Sequence, residues 1–465
     1  MLDVVEHFEQ MGHWWLPGET REDRRAGTLR FGTESVLLSV TPSFSDAWTR
    51  DSRVYPVILG QLNSGRIVTL VNGLMTNLHM VTDPLAGGQL ETEEVIVGGI
   101  LQGAHLEEGL TARATGVQMS FDALPQWAFP GANLSSHSEV VNEEGMTSTV
   151  LLSFPRAVTV PLERATLEIS YSPRFRMEQD RFEGTRRVSI YVGFSDPLQL
   201  DEATQSFVMP IQQFLTFASS RPARGTFLSF ARADDEGMAP GPGVEFADID
   251  WFERPGGAST RPMMLLPIAR IGNRLNEVLA RWFATRTDAD SAFNLYWTVA
   301  MERQMPFETR FLLAIQALEV LHRRCFPAPT TISTVDDPRI QVIQAALDDR
   351  PAIQDWAVRR LQRRRAVTLR DRLEAVVDAT GSTVQQALPP NFIRAAVKTR
   401  NWLTHYDPNA RDEAAQGEDL YRLTEWTLAL FECSVLGLLG FEAAEVDTLF
   451  SGSPRSFIMH FAPAP

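Results

Sequence analysis

The sequence predicts an α+β protein of more than one domain: a β-rich N-terminal part, a sandwich or an irregular barrel, followed by an all-α helical bundle. Three observations carry this reading. From Gly27 to Ile249, short β-branched and aromatic runs are punctuated by Gly, Pro and Asn, the pattern of many short strands. From about Ile271 onward the apolar residues recur at three- and four-residue spacing instead, the pattern of amphipathic helices. Between the two lies Pro255-Gly256-Gly257-Ala258-Ser259, a linker composition. A length of 465 residues allows two or three separate cores. We therefore expect a β-rich domain over residues 1–260, a helical domain over 271–450 and a C-terminal tail over 451–465.

Taken in order, Met1 to Gln10 reads as a short helix, and Gly12-His13-Trp14-Trp15-Leu16-Pro17-Gly18 follows it. Strands are expected at Gly27 to Phe31, Ser35 to Val40, Val54 to Leu62 and Arg66 to Val71, the last two joined by the hairpin loop Asn63-Ser64-Gly65. Further strands fall at Glu94 to Leu101, Val117 to Phe121, Thr147 to Phe154, Ala165 to Tyr171 and Arg187 to Phe194. A helical segment from Leu198 to Ser219 interrupts them, with Phe207, Ile211, Phe214 and Leu215 at helical spacing. Gly225 to Phe230 and Gly243 to Ile249 complete the strands. Helices are then expected at Ile271 to Thr285, Ala289 to Arg303, Phe307 to Phe326, Asp337 to Asp349, Ala352 to Arg364, Leu369 to Ala379, Pro390 to His405 and Glu413 to Leu439. Pro327 and Pro329 stop the third of these, and Gly381 follows the sixth.

The bulk numbers exclude several classes. No N-terminal stretch has the charged start and apolar run of a signal peptide. The longest apolar run, Trp426 to Phe441, is broken by Glu432 and is short for a bilayer. Two cysteines, Cys325 and Cys433, make a disulfide framework improbable and a four-cysteine zinc site impossible. We expect a cytoplasmic protein with no membrane partner. The net charge of −15 argues against a protein coated with nucleic acid over its whole surface. Yet Pro351 to His405 carries ten Lys/Arg against four Asp/Glu, a local balance of +6, so the rest carries −21. One basic region on an acidic body can hold a polyanion at one place and repel it elsewhere. Solvated arginines on helix surfaces would give the same count.

The stretch with the most chemistry is Lys398-Thr399-Arg400-Asn401-Trp402-Leu403-Thr404-His405-Tyr406-Asp407. An arginine can hold a phosphate, and a histidine five places on can move protons. Spacing alone is weak, because with 42 Arg and 8 His chance supplies about 0.7 such pairs. A second copy indeed occurs at Arg455 and His460. That copy lies in a terminal segment without a helical pattern, where nothing is expected to fix its geometry. Arg400 instead sits in a helix whose Phe392, Ile393, Ala396, Val397 and Leu403 are candidate core positions. Pro408 disfavours the α conformation at Asp407, so His405 falls at the helix C-terminus, amid its partial negative charge. On a helical wheel Asn401 and His405 are about 40° apart, whereas Arg400 is about 140° from His405, so its long side chain must close the gap.

Other candidates are weaker. Arg359, Arg360, Arg363, Arg364 and Arg365, with Arg370, Arg372 and Lys398, suit phosphate contacts and base stacking, but an exposed charged helix face explains them equally. Glu319 and His322 form an E-x-x-H pair without the second copy that a di-metal bundle needs, so no metal is expected. Trp14 and Trp15 suit core packing better than a stacking platform. His13, His79, His105 and His137 have no nucleophile or ligand spacing around them.

A resemblance sharpens the picture. Roughly Ile271 to Glu442 resembles a HEPN domain, on Arg400-Asn401-x-x-x-His405 in a late helix and Phe311-Leu312-Leu313-Ala314-Ile315-Gln316-Ala317-Leu318-Glu319 in an early one. The run from Gly12-His13-Trp14-Trp15-Leu16-Pro17 through Gly27-Thr28-Leu29 and Ile58-Leu59-Gly60 resembles the N-terminal domain of ApeA proteins, bacterial anti-phage, abortive-infection proteins that end in a HEPN domain. The resemblance implies a metal-independent endoribonuclease without a cofactor, in which 2′-hydroxyl attack leaves a 2′,3′-cyclic phosphate. It implies that His405 acts as general acid or base, that Arg400 stabilises charge on the phosphate, and that Asn401 orients His405 or the phosphate. It further implies a homodimer in which two motifs share a cleft, an RNA substrate such as a tRNA or another structured RNA, an unidentified phage trigger, and control by the N-terminal domain. Glu319 would pair with an arginine near the site or stand free on a helix surface. The alternative is a non-catalytic HEPN-type protein that dimerises and binds RNA or nucleotide. A third reading makes ligand binding by the β domain the principal function.

Overall fold

The alternating runs at the start of the chain pair edge to edge and close on themselves in the computed structural model. It describes residues 8–31, 35–44, 53–82, 89–128, 134–142, 145–152, 155–178, 181–232, 244–247, 263–302, 304–326, 331–332, 338–361, 365–406 and 408–461. The ring is built from β1 (Phe8–Trp15), β2 (Arg25–Phe31), β3 (Val36–Thr41), β4 (Val54–Leu62), β5 (Ile67–Thr82) and β6 (Gln89–Gln102). Going round it, β1 pairs with β4, β4 with β5, β5 with β6, β6 with β3, β3 with β2, and β2 with β1, all antiparallel. This is a closed six-stranded barrel, and closure removes the free edges on which open sheets aggregate.

Its interior explains the tryptophan pair. Trp14 stands opposite Gly60 across the β1–β4 pair and is fully buried. Its ring lies so close over Gly60 that a Cβ there would fall inside it, and Gly27 of β2 backs the ring from the other side. Successive strand residues face opposite ways, so Trp15 turns outward, where it is buried with Val57 and Leu59. The His105 ring meets it edge-on at 4.9 Å and the Arg24 guanidinium lies 4.2 Å over it.

Beyond β6 the sheet continues through β7 (Arg113–Phe121), β10 (Val158–Leu162), β11 (Ala165–Glu178), β12 (Arg181–Gln199), β13 (Gly225–Arg232) and β14 (Val244–Ala247) in the order β10-β11-β12-β7-β13-β14-β6. The pair β8 (Leu134–Asn142) and β9 (Gly145–Leu152) forms a separate hairpin. Helices α1 (Leu124–Ala128), α2 (Leu200–Ala203), α3 (Met209–Ser219) and α4 (Ile268–Ile271) accompany this sheet. A π-turn, Thr204–Val208, joins α2 to α3. Helix α3 is buried almost all round, with Phe214 edge-on to Trp127 of α1 at 5.6 Å.

The helical part comprises α5 (Leu275–Asp288), α6 (Asp290–Met301), α7 (Phe307–Cys325), α8 (Pro338–Ala346), α9 (Pro351–Leu361), α10 (Leu369–Ala379), α11 (Ser382–Ala387), α12 (Phe392–His405), α13 (Gly417–Leu438), α14 (Ala443–Ser451) and α15 (Pro454–Phe461). A short pair, β15 (Thr331–Ile332) and β16 (Arg365–Ala366), brackets α8 and α9. Apolar nearly all round, α13 is the central helix. Its Phe431 stacks on Tyr296 of α6 at 4.6 Å, and Phe311, Ile315 and Leu318 of α7 are buried. The hydroxyls of Thr424, Thr427 and Ser434 inside it donate to carbonyls one turn back, on Leu420, Leu423 and Leu430, so no hydroxyl of theirs is left bare. The chain divides into two compact units, residues 1–262 with 266–276, and residues 263–265 with 277–465. No helix among the described residues is long and apolar enough to cross a membrane.

Three expectations need correction. Phe8 to Gln10 belong to strand β1 rather than to a helix, because their ladder partners are Leu29 to Phe31; Met1 to His7 lie outside the described residues. Residues 451–465 are not simply a tail, since α14 ends at Ser451 and α15 runs over Pro454–Phe461. The segment missed between Leu369 to Ala379 and Pro390 also holds a helix, α11. The expected linker at Pro255 to Ser259 lies outside the described residues.

Candidate functional site

Helix α12 docks through Phe392, Ala396 and Thr399, which recur at four and three residues and form one stripe. Thr399 is fully buried, and its Oγ accepts the Ala415 backbone N–H at 2.9 Å. That bond pins the following segment onto the helix. The helix stops at Tyr406, which turns left-handed at φ 51° while its N–H donates to the Trp402 carbonyl at 2.8 Å. A positive φ is uncommon for a side chain of this size and is held by its surroundings. Here the Tyr406 ring meets Trp402 edge-on at 5.6 Å, and the Arg411 guanidinium lies 6.0 Å over Trp402.

At this end the motif residues meet within one chain. Arg400 Nη1 lies 3.5 Å from Asn401 Oδ1 and 3.5 Å from His405 Nε2. The extended arginine side chain thus spans the wide angle between the two positions. Both contacts are at the outer limit of hydrogen bonding, so they hold the groups in place weakly. An arginine only donates, so this contact is a hydrogen bond only in the tautomer whose Nε2 presents its lone pair. Arg400 and Asn401 are half-buried and His405 is exposed. The arrangement can grip an anion and exchange a proton at one open place.

One turn earlier, Arg394 Nε donates to Glu413 Oε2 at 2.6 Å, and Lys398 Nζ, the chain's one lysine, lies 3.6 Å from Glu413 Oε1. The hydrogen bond from Arg394, followed by the charges of Arg394 and Lys398, holds the Glu413 carboxyl below its usual range. Glu413, Trp402 and Tyr406 were not among the expected site residues. Their signals were present: Arg394 and Lys398 at i, i+4 facing an acidic residue just past the helix, and an aromatic i, i+4 pair.

On the neighbouring helices, Glu319 accepts from Arg323 Nη2 at 2.8 Å and lies 3.9 Å from Arg372 Nε. Arg372 Nη1 lies 3.4 Å from His322 Nδ1, and Phe326 stacks on that ring at 5.2 Å. Burial, then the Arg372 charge, pushes the His322 imidazole below its ordinary range. Arg372 is therefore mostly inside the bundle, serving Glu319 and His322 rather than standing free for RNA, and its guanidinium takes the place a cation would occupy at His322 Nδ1. Of the other basic candidates, Arg359 is exposed and ion-paired with Asp355, and Arg370 lies 3.5 Å from Glu374. Arg360 and Arg365 belong to α9 and β16, Arg363 and Arg364 lie outside the described residues, and no side chain of these four is described.

The second Arg-x4-His copy has a different fate from the one its spacing suggests. Arg455, on α15, donates to Glu432 Oε2 at 3.0 Å and to Glu432 Oε1 at 2.9 Å, and also bonds Glu425. The Tyr296 hydroxyl donates to Glu432 Oε1 at 2.7 Å, and Arg310 Nη2 lies 3.5 Å from Glu425 Oε1. Burial alone would depress the Arg455 guanidinium, but Glu425 and Glu432 outweigh it and hold it well above the ordinary arginine range. The Tyr296 hydroxyl is raised by its burial and then by Glu432. This is a closed, neutral cluster of two arginines and two glutamates inside the bundle.

Two family models match the chain: residues 9–282 match ApeA N-terminal domain 1 and residues 312–445 match Apea-like HEPN. The chain belongs to the ApeA family. The second match spans α12 with Arg400, Asn401 and His405, and excludes Arg455 and His460. No curated protein and no solved structure matches the chain.

Proposed function

We propose that the chain is an anti-phage defence protein that cleaves RNA without a metal at the C-terminal end of α12. The observation that carries the reading is the meeting of Arg400 with His405 at 3.5 Å on an exposed helix end, inside the region matched by the HEPN model. In the reaction, His405 Nε2 takes the proton of a ribose 2′-hydroxyl. The freed oxygen bonds to the adjacent phosphorus, and the bond from phosphorus to the 5′-oxygen breaks. A proton passes to that leaving oxygen, and a homodimer places His405 of a second copy to give it. The products are a 2′,3′-cyclic phosphate and a 5′-hydroxyl. Arg400 lies where negative charge gathers on the phosphoryl oxygens and stabilises it. Asn401, holding Arg400 through Oδ1, orients it. The acidic remainder of the chain keeps RNA away from other surfaces, and the N-terminal unit restrains the nuclease until a phage component is present.

The test is incubation of the purified full chain with total RNA in the presence of a chelator, followed by analysis of the new ends. Cyclic phosphate ends that disappear in His405→Ala support the reading. Binding without product would favour a non-catalytic RNA-binding dimer instead.

A further inference from the structure

Helix α12 ends on a residue ill suited to end it. Tyr406 is left-handed at φ 51°, a conformation that glycine, or at times asparagine, adopts at helix ends and that strains a side chain carrying a Cβ. Burial does not offset the strain, because Tyr406 is 71% exposed. Its contact with Trp402 is edge-on at 5.6 Å, and at this exposure at least one face of the tyrosine ring is in water. The helix end thus accounts for the turn at position 406 but not for an aromatic ring there. Strain kept at an exposed residue directly after His405 points to function.

The charges at this helix end indicate what the ring meets. Among the described side chains, Arg394, Lys398, Arg400 and Arg411 stand against Asp412 and Glu413, an excess of two positive charges. Glu413 is taken by Arg394 and Lys398. Arg400 meets Asn401 and His405, neither of them an anion, and Arg411 lies over the Trp402 ring. The two arginines therefore suit an incoming anion. A nucleotide joins a phosphate to a flat base, so Arg400 and an aromatic face can hold one ligand together. A second copy of the helix end would cover the ring, but it would repeat the excess of positive charge instead of neutralising it. We propose that Tyr406 is the base-stacking residue of the site: its open face holds an unpaired base whose phosphate lies on Arg400, and Arg411 takes a neighbouring phosphate. The base is unpaired because both faces of a base inside a duplex are already stacked. This inference rests on RNA being the ligand of the His405 site, and it makes the RNA there single-stranded.

The two readings can fail separately. Cleavage by the wild-type chain in chelator reports on the chemistry at His405. Anisotropy of a fluorescent, unstructured RNA oligonucleotide with the full-length His405→Ala chain reports on Tyr406, with an oligonucleotide of the same length built from abasic ribonucleotides as its comparator. In that background Tyr406→Leu is expected to weaken binding of the first oligonucleotide about tenfold, equivalent to ~1.4 kcal/mol, and to leave binding of the abasic one unchanged. Leucine keeps apolar area but has no π-face, whereas Tyr406→Phe keeps the face and should retain most of the affinity. Tyr406→Gly, which relieves the left-handed strain, is a second variant without a ring and should lose as much as leucine. Melting temperatures identify the variants that keep the fold. Wild-type affinity in the leucine and glycine variants, or an equal loss on both oligonucleotides in variants that keep the fold, would overturn the proposal. A weakened dimer in these variants, with both RNA affinities intact, would also overturn it and assign the ring to a second copy.

Discussion

Arg400 and Arg455 share a sequence pattern and almost nothing else. Arg455 is enclosed by two buried glutamates and satisfied on all three of its nitrogens. Arg400 has two long contacts and an open side toward solvent. A buried charge must be fully paired, because leaving it bare costs several kcal/mol, so the pairing at Arg455 is a condition of folding. The loose contacts at Arg400 contribute little to the fold, and a phosphate can replace them without penalty. What separates a structural arginine from one available to a ligand is thus how completely the protein has already used it.

That contrast can be broken by substitution. The largest effect should come at His405: alanine there is expected to lower RNA cleavage by about 10²–10⁴-fold, the usual share of a general acid–base group, with the melting temperature unchanged. Replacing Arg455 by methionine should do the reverse. It leaves Glu432 with the Tyr296 hydroxyl but no arginine, and Glu425 with Arg310, and should cost about 3–5 kcal/mol of stability, read as a lower denaturation midpoint, while the remaining folded protein keeps its activity per molecule. Gly60→Ala probes the other unit, where the added methyl collides with the Trp14 ring; a loss of about 1–3 kcal/mol is expected from overpacking, with cleavage unaffected.

The smallest effect is a pH dependence at His322. Burial keeps its folded imidazole harder to protonate than the unfolded one. As pH falls, the unfolded chain therefore takes up the proton first, and stability is lost as pH drops from the ordinary histidine value toward the lowered folded one. Above that window the group contributes no slope. Comparing denaturation midpoints of wild type and His322→Asn at neutral and mildly acidic pH should show this component in the former alone.

Much of this was legible in the residues. The strands announced themselves through alternation and Gly-Asn-Pro punctuation, and α12 through its apolar spacing and the Asp407-Pro408 stop. Barrel closure was not, because it depends on β6 pairing with both β3 and β5, a long-range choice that local pattern does not encode. The angle between Arg400 and His405 looked like an obstacle on a helical wheel, which records where side chains leave the backbone and not how far an arginine reaches. The role of Arg455 was hidden by its partners' distance in sequence. Yet Glu425 and Glu432, seven residues apart within the buried part of α13, lie on one face and signal a buried cation still to be found.

The most direct measurement sets Arg400→Ala beside Arg455→Met in the full-length chain, recording thermal stability and chelator-resistant RNA cleavage for each. The expected outcome is a double dissociation. Arg400→Ala melts with the wild type and loses cleavage by about 10²–10³-fold, while Arg455→Met melts lower and cleaves normally when folded. Wild-type cleavage by the Arg400→Ala chain would contradict the assignment of the α12 end as the site of chemistry.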